Sequence, residues 1–277
     1  MIPSSFSYQR ANSVKEALAA LSSEEVKLLA GGHSLIPTLK LRLNQPSRLV
    51  DIAHIPDLKT ITENDGSMVI GAAATHYDIS VHPLVQRHLP WLAKGAAGIG
   101  DVQVRYRGTI GGSLAHADPS ADWPALALAA DAILSVEGPS GSRQVMINDF
   151  FTGLFSTALE PAELITAVRI PIPAKGSSGA YAKFPQPASR YALVGCAVHC
   201  LAGGKVNIAF TGVSQQPFRD KAAEQVFAGK PISPKTIEEA VRVAAEDRDI
   251  LSDRYASESY RKHLAKVFLK RALQAAG

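Results

Sequence analysis

Cysteine is scarce in this chain of 277 residues, which contains only Cys196 and Cys200. Two thiols cannot form a disulfide framework, a zinc knuckle or a four-thiolate iron–sulfur site. Both lie in an apolar segment, so we expect two small residues of the hydrophobic core. Disulfide-stabilised folds and cysteine-ligated metal centres within this chain are therefore excluded.

Long apolar runs and the common nucleotide-binding fingerprints are also missing. No apolar stretch reaches about 18 residues, and the first residues lack the basic and apolar regions of an export signal, so we expect a cytoplasmic protein. The phosphate-loop pattern G-x-x-x-x-G-K-[ST] does not occur. The nearest approach to G-x-G-x-x-G, at residues 98–103, lacks the last glycine and a preceding strand. Phosphate-loop and Rossmann sites are thus unsupported.

Charge of one sign is not concentrated in any segment. The 29 Lys and Arg residues against 25 Asp and Glu give a net charge of +4, spread along the chain, so no nucleic-acid partner is indicated. Hydrophobic residues make up 46% and charged residues 19%, which excludes disordered and coiled-coil classes. A length of 277 residues favours two domains.

Apolar patterning predicts a mixed α+β first domain. Strands are predicted at residues 26–30, 48–52, 60–63, 67–72, 132–137, 143–147 and 164–170. Helices are predicted at residues 13–21, opened by a capping box from Ser13 to Glu16, 35–43 with an interruption at Pro37, 83–97 and 120–130. Residues 98–112, rich in glycine and charge, are predicted to form an irregular connection.

A domain boundary is predicted at Pro171-Ile172-Pro173, and a small sheet backed by helices follows. Strand patterns recur at residues 180–184, 193–201 and 205–211. Ser233 and Pro234 form a helix start, with a capping residue before a proline in the first helical position. One face of a terminal helix is predicted to comprise Tyr260, Leu264, Val267, Phe268 and Arg271.

A first glycine pair, Gly31-Gly32, stands between an apolar strand and a helix in the run AGGHS at residues 30–34. Without Cβ atoms, the backbone N–H groups can approach an anion, and the helix dipole favours negative charge there. Ser34 adds a hydroxyl donor. The pattern is compatible with a phosphate site and equally with a structural turn.

A second glycine pair, Gly111-Gly112, lies in the run TIGGS at residues 109–113 and is followed by Asp118 and Asp122 near a helix start. Each aspartate could cap backbone N–H groups or accept from ribose hydroxyls. Two such loops in one domain suit a diphosphate, because each can donate to a different side of the same anion.

These motifs resemble the two FAD-binding signatures of the flavoprotein subunits of molybdenum hydroxylases. The matching runs are AGGHSLIP at residues 30–37 and TIGGSLAHADP at residues 109–119, and QPASRYALVG at residues 186–195 is similar to the start of the family's C-terminal domain. The resemblance covers essentially the whole chain and is nearest to the medium subunit of aerobic carbon monoxide dehydrogenase.

The resemblance implies an α+β fold with two domains. Residues 1–173 would form a two-part FAD-binding domain of the vanillyl-alcohol-oxidase type, with subdomains at about 1–57 and 58–173. Residues 174–277 would form a small domain with a three-stranded antiparallel sheet and a helix bundle.

The family's FAD contacts carry over to matching positions of this chain. The two glycine segments would hold the diphosphate largely through backbone N–H groups, Asp122 or Asp118 the ribose or adenosine end, Ile99 and Tyr191 the isoalloxazine ring, and Leu164 the adenine. The implied contacts are Ala30, Gly31, Gly32, His33, Ser34, Leu35, Ile99, Thr109, Gly111, Gly112, Ser113, Asp118, Asp122, Leu164 and Tyr191.

Four positions are given no metal-ligand or proton-transfer role in this interpretation. Ala74-Thr75-His76 resembles a Thr-Thr-His element of the family, from which Ala74 departs. Lys183 is expected to be a solvated surface residue. His33 and His116 are expected to position the loops through hydrogen bonds, since no histidine pair has metal-ligand spacing. No catalytic residue and no metal ligand is assigned.

The resemblance implies an electron-transfer subunit of a heteromeric oxidoreductase. FAD here would pass electrons from a [2Fe–2S] cluster of an iron–sulfur small subunit to an external acceptor, quinone or NAD, while a large subunit carries the molybdopterin cofactor. A dimer of heterotrimers and an association with the inner face of the membrane through the complex are implied as well. The alternatives are a stand-alone FAD-dependent oxidase or reductase of the same fold and a non-catalytic binding module.

Overall fold

A small parallel sheet carries the N-terminal part of the chain in the computed structural model, which describes residues 1–21 and 25–277. Its strand order is β1-β3-β2, and both pairs are parallel. The elements are β1 (Ser7–Arg10), α1 (Val14–Ala20), β2 (Val26–Leu29), α2 (Leu35–Lys40) and β3 (Arg48–Asp51). The strand at residues 26–30 and the helix after the glycine pair are confirmed within one to three residues.

The N-terminus of α1 follows from its capping residue, whereas the N-cap Ser34 of α2 makes no side-chain capping bond. Ser13 Oγ accepts from the Glu16 N–H at 3.1 Å, as predicted, but the Glu16 carboxylate accepts from the Asn12 N–H at 2.8 Å, one residue before the predicted partner. Pro37 does not interrupt α2, because it lies in the first turn, where backbone N–H groups have no helical acceptor.

An antiparallel sheet of order β4-β5-β10-β6-β7 organises the next part. The two hairpins predicted around residues 64–66 and 138–141 pair in this sheet, with β10 between them. The elements are β4 (Ile61–Asn64), β5 (Ser67–Gly71), α3 (His76–Val81), α4 (Pro83–His88), α5 (Pro90–Ala97), α6 (Val102–Arg105), α7 (Ile110–His116), α8 (Asp122–Ala129), β6 (Ile133–Gly138), β7 (Gly141–Met146), β8 (Phe151–Gly153), β9 (Ser156–Thr157) and β10 (Leu164–Pro171). Short 3-10 turns occur at Pro56–Lys59 and Ile147–Asp149.

Two predictions about this part were wrong. The single helix predicted over residues 83–97 is two helices, because Pro90 lacks an N–H and disfavours the helical conformation at Leu89, whose φ is −137°. The predicted irregular connection over residues 98–112 contains α6 and the start of α7, so Gly111 and Gly112 lie in a helical turn rather than in a loop.

The C-terminal part is an antiparallel sheet of order β11-β12-β13-β14 with helices packed against it. Three long strands are present as expected, and a two-residue strand adds to the edge. The elements are β11 (Ser178–Pro185), β12 (Ala192–Cys200), β13 (Val206–Thr211), β14 (Phe218–Arg219), α9 (Lys221–Gln225), α10 (Pro234–Val243) and α11 (Glu258–Ala276). The α+β class and the order of the two domain types are confirmed. The predicted cap holds as well, with Ser233 as N-cap and Pro234 as the first residue of α10.

The central strand β12 is buried along its whole length, because α8 and α11 both pack against it. Cys196 and Cys200 lie on this strand as buried free thiols, as expected. The long apolar run of β12 is typical of a strand covered on both faces. Helix α8 thereby joins the first part of the chain to the C-terminal sheet.

The buried face of α11 differs from the predicted one. Leu264 and Phe268 are buried as expected, whereas Tyr260 is 43% exposed. Arg261 is buried in its place, because its guanidinium donates to the carbonyl oxygens of Leu193 and Gly212 at 2.6 Å. A third hydrogen bond, to Asp253, helps to compensate the burial of the Arg261 charge. Apolar periodicity alone assigns this arginine to the surface.

Within the described residues, no helix is both long and apolar enough to cross a membrane.

Candidate cofactor site

A cavity of about 520 Å³ lies where three segments of the chain meet. The loop between β2 and α2 forms one wall, the segment from residue 108 to residue 122 a second, and residues 189–191 reach it from the C-terminal part. Every residue implied above as an FAD contact lines this cavity: Ala30, Gly31, Gly32, His33, Ser34, Leu35, Ile99, Thr109, Gly111, Gly112, Ser113, Asp118, Asp122, Leu164 and Tyr191. The fold therefore gathers residues that are separated by most of the chain.

The two glycine segments are in direct contact. A Cβ atom on Gly31 would lie 2.0 Å from the carbonyl oxygen of Arg107, so the two backbones touch where a side chain has no room. A Cβ atom on Gly112 would lie 3.9 Å from the Cβ of Ala30. Glycine is required at Gly31 for this approach and at Gly32 for its φ of +74°.

The first loop lines the cavity with five consecutive residues, 31–35. Among the described residues, none of their N–H groups donates a hydrogen bond to a protein acceptor. The first helical bond of α2 runs from the Ile36 N–H to the Gly32 oxygen at 2.9 Å. A row of N–H groups at the start of a helix is a binding site for an anion such as phosphate.

The second segment differs from the prediction in its donors. The Gly111 N–H donates to the Ala72 oxygen at 2.9 Å, and the Gly112 N–H donates to Thr109 Oγ1 at 3.2 Å. These N–H groups are therefore used inside the protein. What this segment offers to the cavity is the hydroxyl of Ser113 and the close approach that glycine permits.

Part of the cavity wall is apolar. Leu164 lines the cavity and packs in one hydrophobic cluster with Ile52 and Leu28, which line it too. An apolar pocket of this kind suits a flat heterocyclic ring.

Ile99 lies in another stretch of the wall, after α5. Its carbonyl oxygen and that of Gly100 both accept from Arg105 at 3.0 Å. Arg105 thus fixes the turn that presents Ile99 to the cavity.

Asp122 is the most deeply buried carboxylate of the wall, with 4% of its side chain exposed. Burial raises its pKa, and the charge of Lys183 opposes that rise. Lys183 Nζ donates to Asp122 Oδ2 at 2.9 Å, and the Tyr181 hydroxyl donates to Oδ1. The expectation that Lys183 is a solvated surface residue was wrong, because its side chain is only 11% exposed.

Asp118 has a separate local role. Its Oδ1 accepts from the Ser120 N–H at 2.8 Å, and burial raises its pKa. That hydrogen bond shapes the turn before α8. Both aspartates therefore make contacts within the protein while facing the cavity.

The two loop histidines differ in their contacts. His33 Nδ1 lies 3.0 Å from the Gly31 oxygen, which is the loop-positioning hydrogen bond expected for it. His116 packs against the ring of Phe155 at a centroid distance of 5.2 Å, and burial lowers its pKa.

His76 is a cavity residue to which sequence reasoning gave no role. Its Nδ1 accepts from Trp123 Nε1 at 2.9 Å, so the neutral ring carries its proton on Nε2. Burial, with the charges of His33 and Arg105, lowers the pKa of His76 to about 3. A Cβ atom on Gly108 would lie only 2.5 Å from Nε2 of His76. The sequence shows the Thr-His pair at the start of α3, but it does not indicate that His76 accepts a hydrogen bond from Trp123.

Comparison with known proteins places this geometry in a family. The family model described as FAD binding domain in molybdopterin dehydrogenase matches residues 4–173, and the model for the CO dehydrogenase flavoprotein C-terminal domain matches residues 179–276. Together these models define a flavoprotein with two domains. The chain belongs to the family of FAD-binding medium subunits of molybdenum hydroxylases.

Relatives match along essentially the whole chain. The carbon monoxide dehydrogenase medium chain of Hydrogenophaga pseudoflava is 39% identical over 282 residues, covering 100% of this chain and 98% of the relative. The glyceraldehyde dehydrogenase medium chain of Sulfolobus acidocaldarius is 34% identical over 279 residues, covering 99% of each. These relatives are dehydrogenase components, and the chain is accordingly an oxidoreductase subunit.

Solved structures agree with this assignment. A structure of Hydrogenophaga pseudoflava carbon monoxide dehydrogenase that lacks the Mo-pyranopterin moiety of the molybdenum cofactor matches with a TM-score of 0.96 and 41% identity, over 100% of this chain and 98% of that one. Quinoline 2-oxidoreductase from Pseudomonas putida 86 matches with a TM-score of 0.93 and 33% identity, over 100% and 98%.

The residues of the cavity fit FAD, the cofactor of this family. The unbonded N–H groups of residues 31–35 suit a diphosphate, and the apolar part of the wall around Leu164 suits an aromatic ring system.

Proposed function

We propose that this chain is the electron-transfer subunit of a molybdenum hydroxylase, taking electrons from a partner's [2Fe–2S] cluster and delivering them to an external acceptor, quinone or NAD. The observation that carries the proposal is the run of unbonded N–H groups at residues 31–35, which line a cavity together with the second glycine segment. FAD supplies the redox chemistry when bound. The protein's own task is to hold it, orient it and limit its contact with water.

Each cavity segment has a part in this proposal. Residues 31–35 would donate backbone hydrogen bonds to the diphosphate, with the Ser34 and Ser113 hydroxyls beside them. Asp122 or Asp118 would accept from the ribose, since a carboxylate oxygen can accept more than one hydrogen bond. Leu164 would lie against the adenine, and Ile99 and Tyr191 against the isoalloxazine ring.

The partners follow from the same proposal. The similar proteins are named medium chains or subunits, which supports an assembly with other chains. The only two thiols here are buried on β12, so an iron–sulfur small subunit would carry the clusters, and a large subunit the molybdopterin cofactor. We propose a dimer of such heterotrimers. The division of the chain at residue 173, with a subdomain boundary near residue 57, and the cytoplasmic location belong to this proposal as well.

Purification of the chain together with its natural partners tests the proposal. We expect the complex to release FAD as a yellow, fluorescent supernatant on denaturation, and its flavin absorption to be bleached when the complex turns over its substrate. A complex that releases no FAD and takes up none would contradict the cofactor assignment. Turnover by the chain alone, without the partners, would contradict the subunit role and favour a stand-alone oxidase or reductase.

A further inference from the structure

The buried carboxylate of Asp122 is held entirely by the C-terminal part of the chain. It begins α8, and its two oxygens accept from Tyr181 and from Lys183, both of which lie on β11. The Lys183 ion pair is buried on both sides, with side chains 11% and 4% exposed. The Asp122 carboxylate therefore links the cavity wall to the C-terminal sheet.

Lys183 also bonds to the loop between β11 and β12, which lines the cavity. Its Nζ donates a second hydrogen bond, to the carbonyl oxygen of Arg190 at 2.8 Å. Arg190 has a φ of +60°, a left-handed conformation that a non-glycine residue keeps only where its surroundings hold it. The loop is closed by two backbone bonds, from Arg190 N–H to Gln186 O and from Gln186 N–H to Tyr191 O, each 2.8 Å long.

Tyr191 lies between two fixed points, the Arg190 oxygen bonded by Lys183 and the Ala192 N–H, which donates to the Ser120 oxygen at 3.1 Å. It lines the cavity, although 36% of the residue is exposed. It belongs to the loop that joins β11 to β12. A loop of this kind is mobile unless its backbone is fixed to a rigid element. The rigid elements available are β11 and α8, and Lys183 binds the loop to both.

The cost of burying Lys183 points to a role beyond stability. Removing an ammonium group from water is expensive, and a buried ion pair contributes little net stability compared with an apolar pair of the same size. A buried lysine has two acceptors here, the Asp122 carboxylate of the cavity wall and the Arg190 oxygen of the loop that carries Tyr191. This arrangement fixes the loop relative to Asp122, which an apolar contact would do less precisely.

We propose that Lys183 is a positioning residue: held by Asp122, it fixes the Arg190 carbonyl and so keeps the Tyr191 ring over the cofactor cavity. The proposal rests on the proposed function, since it assumes that FAD occupies that cavity. Tyr191 contacts the cofactor in this scheme, whereas Lys183 acts through the loop.

Cleavage by trypsin tests the hydrogen bond between Lys183 and the loop in the absence of FAD. The bond after Arg190 is a tryptic site, and a loop held by Lys183 should resist cleavage there. In the full chain with its natural partners, stripped of FAD, we expect Lys183→Met to speed cleavage after Arg190 by about tenfold or more, the factor that corresponds to one hydrogen bond from a charged donor. Lys183→Arg, which keeps a long cationic donor, should restore most of the resistance.

Lys205→Met is the matched control. Lys205 also pairs with an aspartate of the first part of the chain, Asp131, at 3.2 Å, but it is exposed and does not line the cavity. Cleavage after Arg190 should stay at the wild-type rate in this variant. Equal cleavage in Lys183→Met and wild type would overturn the proposal.

Bound FAD gives a second, independent readout. We expect Lys183→Met to raise the flavin fluorescence as Tyr191→Ala does, because both remove the ring from the cavity. The double variant should be no more fluorescent than Tyr191→Ala alone. Effects that add in full would show that Lys183 does not act through Tyr191 and would overturn the proposal.

Two outcomes separate this proposal from the proposed function. If the wild-type complex binds no FAD, the proposed function fails, and the trypsin result still decides whether Lys183 tethers the loop. If wild type binds FAD and the Lys183 variants change neither cleavage nor fluorescence, only the positioning role fails. Should Lys183→Met not fold, Lys183→Gln, which keeps a shorter donor, is measured in its place against the same control.

Discussion

Gly31 lies against the backbone of Arg107, so closely that a Cβ atom on the glycine would stand 2.0 Å from the arginine carbonyl oxygen. This contact closes the distance between the loop after β2 and the segment that leads into α7. Because residues 31–35 line the cavity beside it and their N–H groups make no hydrogen bond within the described residues, the contact sets the geometry of the proposed diphosphate site.

Gly31→Ala should separate the two segments. A methyl group has no room beside the Arg107 carbonyl, so the backbones must move apart, at a cost of about 1–3 kcal/mol. We expect FAD binding to weaken by roughly five- to 150-fold, measured by equilibrium dialysis. Gly153→Ala is the control, because a Cβ there meets only Ser156 Cβ at an ordinary 3.7 Å. Unchanged affinity in Gly31→Ala would contradict the role of the contact.

Gly32→Val should weaken FAD binding through backbone strain. Gly32 has a φ of +74°, which costs a β-branched residue about 1–2 kcal/mol, and a Cβ would also lie 2.7 Å from Ile36 Cδ1. We expect a loss of affinity of roughly five- to 30-fold by flavin fluorescence titration. Gly32→Asn should lose less, since asparagine tolerates the left-handed conformation. Equal losses in both variants would show that φ is not the cause.

Tyr191→Ala should leave FAD content largely intact and change the flavin spectrum. The ring lines the cavity with its hydroxyl beside the Ser34 side chain, so its loss removes an aromatic neighbour and leaves the backbone donors of residues 31–35 in place. We expect a shifted absorption band and stronger flavin emission. Tyr260→Ala, at an exposed tyrosine on α11, serves as the control. An unchanged spectrum would remove Tyr191 from the flavin environment.

His76 should make the stability of the FAD-free protein depend on pH. Burial lowers its pKa from 6.5 to about 3 in the folded protein, so the unfolded chain binds the proton first as the pH falls. The stability that neutral His76 contributes is complete above pH 6.5 and is lost as the pH falls toward about 3. The slope is about 1.4 kcal/mol per pH unit for one proton.

Urea unfolding between these pH values measures this slope. We expect His76→Gln to have a shallower pH dependence than wild type by about one proton, whatever its absolute stability. Other groups titrate in the same range, and they contribute equally to both proteins. Identical slopes in both proteins would show that His76 is not buried in its neutral form.

Most of the secondary structure could be predicted from the sequence, because helices, strands and turns depend on local residue patterns. Alternating apolar residues and turn residues located the hairpins of β4-β5 and β6-β7, and Ser233-Pro234 located the start of α10. The helix over residues 83–97 was wrong because the apolar pattern continues across Pro90, although the backbone cannot.

The predicted cofactor residues depended on short glycine motifs, and the structure gathers them around one cavity. The assignment of donors could not be made from the motifs. The N–H groups of Gly111 and Gly112 bond to Ala72 and Thr109 because α7 starts there against the end of β5. Nothing in the local sequence distinguishes these groups from the unbonded ones of the first loop.

The sequence by itself determined the chain's family, its two types of domain and the glycines that must lack a Cβ, because these follow from residue types at short spacing. Only the tertiary structure decided that Lys183 is buried against Asp122 and that His76 accepts from Trp123. These pairs are separated by 61 and 47 residues. A charge or a ring nitrogen is fixed by whichever partner the fold brings to it, and local pattern does not specify that partner.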